Sequence, residues 1–316
     1  MRSSKIFIAT FLIICLVPFV FMFFVPTKAA ANEILSPKPA FGADMLSKTA
    51  DYVGDRFAFR QTFATAWARL NAVLFRSSAE GQVILGEDGW LYYADDFNSV
   101  LCDEELESIA ANVFQLQKQI EERGASFVFT VAPDKSSLHS EKLPAGFVPA
   151  GNGRALEPWL EKYGVNYVSL FDEAIPYFAT DSHWTAYGAA LACDRLAGTD
   201  FASRDFSIES RHRGDLYEML YPAGRKTESD PHCELDYETL TTALFDGNAI
   251  TIETTSDSEG TLWCWRDSFG ISLYPYLAQT YGRATFSRSV DYNPDAIGDA
   301  DTVILEIVER NLGNLK

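Results

Sequence analysis

The sequence predicts an α/β fold, a three-layer sandwich in which helices cover both faces of a mostly parallel sheet. From about residue 103, helix-like and strand-like segments alternate, the order that places parallel strands between layers of helices. The strand-like segments, such as 126–132 and 302–308, are near-continuous apolar runs, as expected for strands buried on both faces. With 316 residues, 47% of them hydrophobic, the chain can build a substantial core.

Periodicity and turn residues place the individual elements of this sandwich. The predicted helices are 103–122, 155–163, 186–197 and 271–281, and the predicted strands are 126–132, 165–170, 261–265, 284–289 and 302–308. Earlier, residues 45–75 have helical spacing, and 81–96 predict a strand pair around a turn. Residues 199–260 are rich in charged and turn-forming residues, so we expect an insertion at one rim of a domain that covers 46–316.

The N-terminus carries an apolar run over residues 6–25, preceded by Arg2 and Lys5. About 20 apolar residues suffice to cross a bilayer core. We therefore expect a signal anchor over residues 1–28, which would attach the protein to the cytoplasmic membrane. A cleaved signal peptide is the alternative, because the small residues at 27–31 resemble a cleavage site. Residues 29–45 are expected to be a linker, and the remainder to lie in the periplasm or at the cell surface.

Charge and cysteine content limit the function classes. The net charge of −18 argues against binding nucleic acid through a broad basic surface. Four cysteines follow the apolar run, and in an oxidising compartment they allow up to two disulfides. Cys233–Cys264 is the favoured pairing, and isolated buried thiols are the alternative for Cys193 and Cys264.

A candidate catalytic constellation lies at the carboxyl ends of the predicted strands, where ligands collect in open parallel sheets. Ser268 follows strand 261–265 in a tight turn before a helix, where backbone N–H groups can stabilise an oxyanion. A serine hydroxyl needs a base, and the base needs an orienting acceptor. Asp181 and His183 supply this pair in a loop that we expect Thr185 to fix, as N-cap of helix 186–197.

Two further candidate site residues each have two alternative roles. Arg266 is a candidate for neutralising charge that develops in the transition state, with a structural role as the alternative. Trp184 is a candidate for contacting an acceptor, or it packs beneath the loop. Asp181, His183, His212 and His232 match no compact zinc pattern, so we expect no metal site and no cofactor.

Several motifs together resemble the alginate O-acetyltransferase family, the AlgJ/AlgX-like proteins with the related DHHW proteins. The resemblance covers nearly the whole chain after the linker, with the motifs in the family's order. The motifs are GDRFAFRQ (54–61), VILGEDGWLYY (83–93), FVFTVAPDKSSLHSEKLP (127–144), TDSHWTAYGA (180–189), RGDLYEML (213–220), RDSFG (266–270) and VILEIVERNL (303–312).

This resemblance implies a permuted SGNH hydrolase-like domain, in which the Asp-x-His pair precedes the serine. It implies Ser268 as nucleophile, His183 as general base and acid, and Asp181 as its orienting partner. The implied activity is acetyl transfer to hydroxyls of a cell-envelope or secreted polysaccharide, with a membrane-bound O-acyltransferase as the partner that donates the acyl group. Two alternatives stay open: a carbohydrate esterase with the same triad, and a non-catalytic accessory protein of exopolysaccharide assembly.

Overall fold

A computed structural model describes residues 2–25, 34–98, 100–245 and 248–316. The helices are α1 Arg2–Phe21, α2 Met45–Arg56, α3 Arg60–Phe75, α4 Asp103–Glu121, α5 Lys135–Leu138, α6 Asn152–Tyr163, α7 Ala186–Ala197, α8 Asp215–Leu220 and α9 Gly270–Thr280. The strands are β1 Val83–Leu85, β2 Leu91–Tyr93, β3 Ser126–Ala132, β4 Tyr167–Val168, β5 Arg211–His212, β6 Glu228–Ser229, β7 Glu238–Phe245, β8 Asn248–Thr255, β9 Thr261–Trp265, β10 Arg283–Ser287 and β11 Thr302–Val308.

The chain divides into two compact units. One comprises the described residues up to Val83 together with Asp215–Lys226, and the other comprises Ile84–Gly214 and Thr227–Lys316. In the first unit, α3 contacts α8, and the Ala223 backbone N–H donates to the Thr65 hydroxyl at 2.9 Å.

A seven-stranded sheet organises the second unit, with strand order β4-β3-β11-β9-β10-β8-β7. The first five strands in this order run parallel to one another, whereas β8 is antiparallel to both β10 and β7. The prediction of a mostly parallel sheet is therefore confirmed. Because β3, β9 and β11 are parallel neighbours, their carboxyl ends meet at one edge.

Helices cover both faces of this sheet and form two cores. On one face, α7 and α9 contribute residues such as Cys193 and Leu273, which pack with Cys264 of β9. On the other face, α4 and α6 contribute residues such as Ile109 and Leu156. Strand residues alternate between the two cores, as the two-residue period of a strand requires. These layers confirm the predicted sandwich.

The rim segment contains two long strands that the sequence did not predict. Residues 199–260 include β7 and β8, which extend the main sheet at one edge. Residues 238–242 of β7 are exposed, whereas β8 buries Ile252 and Thr254 and exposes Glu253 between them, and many residues of the two strands are threonines. This composition suits a sheet edge but lacks the continuous apolar run of a buried strand.

The predicted membrane-spanning helix is not found. Within the described residues, no helix is long and apolar enough to cross a membrane. Helix α1 includes the basic residues Arg2 and Lys5, and it ends at Phe21, before the apolar run does. The cleavage-like residues 27–31 lie outside the described residues.

The predicted disulfide Cys233–Cys264 is also wrong. Every cysteine whose side chain the structure describes is a free thiol, and Cys193, Cys233 and Cys264 are buried. All three pack in the core beside α7 and α9, where a thiol acts as a small apolar group. Burial raises the pKa of Cys193 to about 12, so this thiol is a poor nucleophile.

Candidate active site

The turn between β9 and α9 carries Ser268 and is fixed by the side chain before it. One carboxylate oxygen of Asp267 accepts from the Phe269 backbone N–H at 2.9 Å, and the other accepts from the Val308 N–H at 2.7 Å. The turn is thereby tied to the end of β11. Gly270 is required here by a close approach, because a Cβ would lie 2.5 Å from side-chain atoms of Arg266.

Three side chains meet at this turn in a continuous hydrogen-bonded chain. His183 Nε2 lies 2.9 Å from Ser268 Oγ, and His183 Nδ1 lies 2.7 Å from Asp181 Oδ1. Because a carboxylate only accepts, Nδ1 carries the proton, and Nε2 is left to accept from the serine hydroxyl. Asp181 is 3% exposed and His183 24% exposed. The carboxylate is thus shielded, while the imidazole can reach a substrate.

The loop that carries Asp181 and His183 is closed by backbone contacts. Tyr177 and Trp184 form an antiparallel bridge, and the His183 N–H donates to Asp181 Oδ1 at 2.8 Å. Thr185 then caps α7, accepting from the Gly188 N–H at 3.1 Å. This cap confirms the prediction for Thr185, and it fixes the end of the loop nearest the imidazole.

Two charged residues that the sequence analysis missed also hold the loop. The Lys135 ammonium is fully buried and donates to the carbonyls of Leu91, Ala179 and Asp181 at 2.6, 2.9 and 3.0 Å. The Glu228 carboxylate accepts from the Ala179 and Thr180 N–H groups, both at 2.8 Å, and from the Thr180 hydroxyl. The ammonium therefore binds carbonyl groups of this backbone segment, and the carboxylate binds its N–H groups.

We expect Lys135→Met to destabilise the protein by about 2–4 kcal/mol, because buried carbonyls lose a charged donor while the apolar stem is kept. Equilibrium urea unfolding measures this change. Lys162→Met is the matched control, since Lys162 is 56% exposed and pairs with Glu107 at the surface. An exposed pair contributes about 0–1 kcal/mol. Equal losses in the two variants would show that Lys135 does not support the loop.

Trp184 does not lie where an acceptor could touch it. The indole is fully buried, its Nε1 donates to the Phe269 carbonyl at 3.2 Å, and the two rings meet edge to face at 5.0 Å. Of the two roles considered, the structure therefore favours packing beneath the loop. This contact joins the histidine loop to the serine turn.

Arg266 is buried within the serine turn. Its Nη1 donates to the Asp267 carbonyl at 2.9 Å, and burial lowers the pKa of the guanidinium. Beneath the turn, Glu306 accepts from the Asp267 N–H at 3.1 Å. Burial raises the pKa of Glu306 well above its usual value, and the Asp267 charge raises it further. The contacts of Arg266 thus give it a part in shaping the turn.

Polar residues that follow β11 brace the same sheet edge. Glu309 accepts from the Asp134 N–H at 3.0 Å, the Ser137 hydroxyl at 2.6 Å and the Gly153 N–H at 2.9 Å. Arg310 lies 2.7 Å from the Asp134 carboxylate. Burial raises the pKa of that carboxyl well above its usual value. These residues bind the ends of β3 and β11 together.

The two remaining histidines of the zinc alternative have different neighbours. His232 lies 3.3 Å from Asp230, whereas His212 Nε2 lies 2.7 Å from Asp181 Oδ2. His212 therefore contacts the Asp181 carboxylate on the oxygen that His183 Nδ1 does not contact. Sequence reasoning did not find this contact, because the two residues lie 31 positions apart in the sequence with α7 between them.

Comparison with known proteins finds a family model that matches part of this chain. Residues 83–231 match the model of a family described as the SGNH hydrolase-like domain of acetyltransferase AlgX. The matched segment contains Asp181 and His183 and ends before Ser268. The family match therefore does not reach the serine, whose contact with His183 is seen in the structure.

Curated relatives and solved structures agree with this match. "Probable alginate O-acetylase AlgJ" of Pseudomonas aeruginosa is 26% identical over 185 residues, covering 52% of this chain and 47% of the relative. Its counterpart in Pseudomonas syringae is 27% identical over 154 residues. The chain thus spans about half the length of the curated relatives it matches, or less. The structure of Bacillus cereus PatB1 has a TM-score of 0.55 at 16% identity, covering 74% of this chain and 98% of that one.

The likeness to PatB1 shows a shared fold, and the family match identifies that fold by sequence. Both agree with the layered sheet and its parallel strands. Residues 83–231 are therefore similar to the SGNH hydrolase-like domain of acetyltransferase AlgX, and the predicted resemblance to the AlgJ/AlgX-like proteins is confirmed.

Proposed function

We propose that this protein is an extracytoplasmic O-acetyltransferase that acetylates hydroxyls of a cell-envelope or secreted polysaccharide. The observation that carries the proposal is the chain of contacts from Ser268 Oγ to His183 Nε2 at 2.9 Å and from His183 Nδ1 to Asp181 Oδ1 at 2.7 Å. This order of hydroxyl, imidazole and carboxylate is what nucleophilic acyl transfer requires. Relatives named as alginate O-acetylases support the choice of acetyl and of a glycan.

In the first half-reaction, Ser268 Oγ attacks the carbonyl carbon of an acetyl donor and passes its proton to His183 Nε2. The imidazolium is stabilised by Asp181, which holds the ring in place. Collapse of the tetrahedral intermediate breaks the bond to the donor's leaving group, which takes the proton from His183. The product is an acetyl ester on Ser268.

In the second half-reaction, a sugar hydroxyl attacks the ester carbonyl and His183 Nε2 takes its proton. Collapse returns that proton to Ser268 Oγ and leaves the acetyl group on the sugar oxygen. In both halves, negative charge develops on the former carbonyl oxygen. We assign the Ser268 backbone N–H, in the turn that precedes α9, as one donor to this oxyanion, and the Arg266 guanidinium as a contributor of positive charge nearby.

The protein's net charge limits the class of polysaccharide that can be the acceptor, and its proposed location outside the cytoplasm suggests how the acetyl group is supplied. A net charge of −18 repels a uniformly polyanionic chain, so we favour a glycan of low charge over a polyuronate. Outside the cytoplasm, the acetyl group must be delivered across the membrane. A membrane-bound O-acyltransferase is the partner we propose for that delivery.

The test is an acetyl-transfer assay with and without an oligosaccharide acceptor. We expect acetylated sugar to form in excess of free acetate when the acceptor is present, and a neutral oligosaccharide to outperform a uronic acid oligomer at low salt. Free acetate with no acetylated sugar, for either acceptor, would instead identify an esterase. No turnover of an activated acetyl donor by a folded protein would favour the accessory role.

A further inference from the structure

A second histidine contacts the carboxylate of the proposed triad. We infer that His212 is a positioning residue, which holds Asp181 in the orientation that His183 needs; the inference rests on the proposed acyl-transfer function of this site. Its Nε2 lies 2.7 Å from Asp181 Oδ2, as close as His183 Nδ1 lies to Oδ1. The triad is thereby extended to four members, hydroxyl, imidazole, carboxylate and imidazole.

The contacts of Asp181 divide between its two oxygens. Oδ1 accepts from both the backbone N–H and the Nδ1 of His183, at 2.8 and 2.7 Å. Oδ2 accepts from His212. A carboxylate can turn about its Cβ–Cγ bond, and one held on a single oxygen keeps that freedom. A donor on the second oxygen fixes the plane of the group and helps to offset the cost of burying its charge.

His212 is itself held on two sides. Its ring stacks on Phe178, with centroids 4.3 Å apart and planes at 25°, and Phe178 belongs to the triad loop. In the backbone, His212 of β5 pairs with Glu228 of β6. Glu228 is the residue whose carboxylate binds the Ala179 and Thr180 N–H groups. One strand pair therefore binds both the backbone of the loop and its catalytic carboxylate.

The backbone after β5 passes very close to the backbone of the loop that carries Asp181. A Cβ on Gly214 would lie 2.1 Å from the Thr180 carbonyl oxygen, a distance at which the chain would have to move. Glycine at this position thus allows β5 to come near enough for His212 to reach Asp181. The contact depends on the local packing of the loop and not on a long flexible side chain.

The consequence for catalysis is geometric. A turned carboxylate would move the His183 ring, and with it the 2.9 Å contact from Nε2 to Ser268 Oγ. Misplacement of a reacting group by about 1 Å costs on the order of 100-fold in rate. His212 does not contact Ser268, so its loss is expected to lower turnover while leaving substrate affinity largely intact.

Two polar variants of different reach test this inference. Glutamine places its amide nitrogen close to the position of a histidine Nε2, whereas asparagine is too short. We expect His212→Gln to keep acetyl-transfer kcat within about 5-fold and His212→Asn to lower kcat about 10–100-fold, with KM changed by less than about 2-fold in both. Because the two amides have the same polarity, a general loss of folding affects them alike.

The assay uses the full-length protein with para-nitrophenyl acetate, and it follows the burst of Ser268 acylation as well as steady-state kcat and KM. His232→Asn is the matched control, for which we expect wild-type rates. His232 pairs with Asp230 at 3.3 Å, and none of the contacts described here joins it to Ser268, His183 or Asp181. Equal kcat in the glutamine and asparagine variants, whether both are active or both impaired, would overturn the inference. Absence of a burst in the wild-type protein would instead count against the proposed function.

Discussion

Ser268→Ala is expected to abolish acylation and to lower acetyl-transfer kcat by about 10⁴–10⁶-fold, the range over which removal of a triad nucleophile acts. Ser268 Oγ is the atom that His183 Nε2 contacts at 2.9 Å, and alanine has no hydroxyl to be deprotonated. The fold should be kept, because the turn is held by the Asp267 side chain rather than by that of Ser268.

Rates for this variant are measured with an activated acetyl ester, with circular dichroism as the check on folding. Ser272→Ala in the first turns of α9 is the matched control and should keep wild-type activity, since Ser272 follows the turn without belonging to the triad. A folded Ser268→Ala variant that still transfers acetyl at more than about one hundredth of the wild-type rate would show that another group is the nucleophile.

Asp181→Asn is expected to lower kcat by about 10³–10⁴-fold while the protein stays folded. The three contacts described for Asp181 all come from donors, the backbone N–H and Nδ1 of His183 and Nε2 of His212. An amide offers one acceptor oxygen, so its NH₂ group must face one of these donors. If it faces His183, that ring takes the opposite tautomer and presents a proton to Ser268 instead of a lone pair; if it faces His212, the negative charge that stabilises the His183 imidazolium is still lost.

Steady-state kinetics and urea unfolding of Asp181→Asn separate this effect from a loss of stability. Asp172→Asn serves as the control, because Asp172 is 80% exposed and pairs only with Arg154 at the surface in the contacts seen. A loss of kcat of less than about 10-fold in folded Asp181→Asn would mean that the carboxylate does not set the tautomer of His183.

The central strands could be predicted to the residue because their environment is uniform. The segments 126–132, 261–265 and 302–308 were expected as strands and are β3, β9 and β11. Each is buried by helices on both faces, so the apolar run begins and ends where the strand does. At the sheet edge, β4 covers only Tyr167–Val168, a shorter strand than the segment 165–170 predicts, because one side has no neighbour to define its length.

The hairpin of β7 and β8 was missed for a related reason. Threonine and glutamate residues interrupt the apolar residues of both strands, a composition that fits the edge of a sheet better than its buried centre. A local signal was available in the dipeptide Asp246-Gly247, which is typical of two-residue hairpin loops. Those two residues lie outside the described residues, but the strands on either side pair as such a signal predicts.

At the site, the sequence predicted side chains of distinctive chemistry, which the structure brings into contact, and it missed the side chains that support the backbone around them. Ser268, His183 and Asp181 form a recognisable set of nucleophile, base and acceptor. Lys135 and Glu228 resemble ordinary surface charges in the sequence, and only the fold places them against the backbone of the loop. Trp184 had two open roles because an indole suits both a core and a sugar site, and its complete burial distinguishes them.

In the proposed mechanism, Ser268 carries the acetyl group between donor and sugar. Mass spectrometry of the protein quenched during turnover, with peptide mapping to locate the added acetyl group, distinguishes this mechanism from the alternatives. We expect one acetyl group, on Ser268, which disappears when an oligosaccharide acceptor is added and reappears on the sugar. An acetyl group that maps to another residue, or one that stays on Ser268 while the sugar is acetylated at the full rate, would contradict the mechanism.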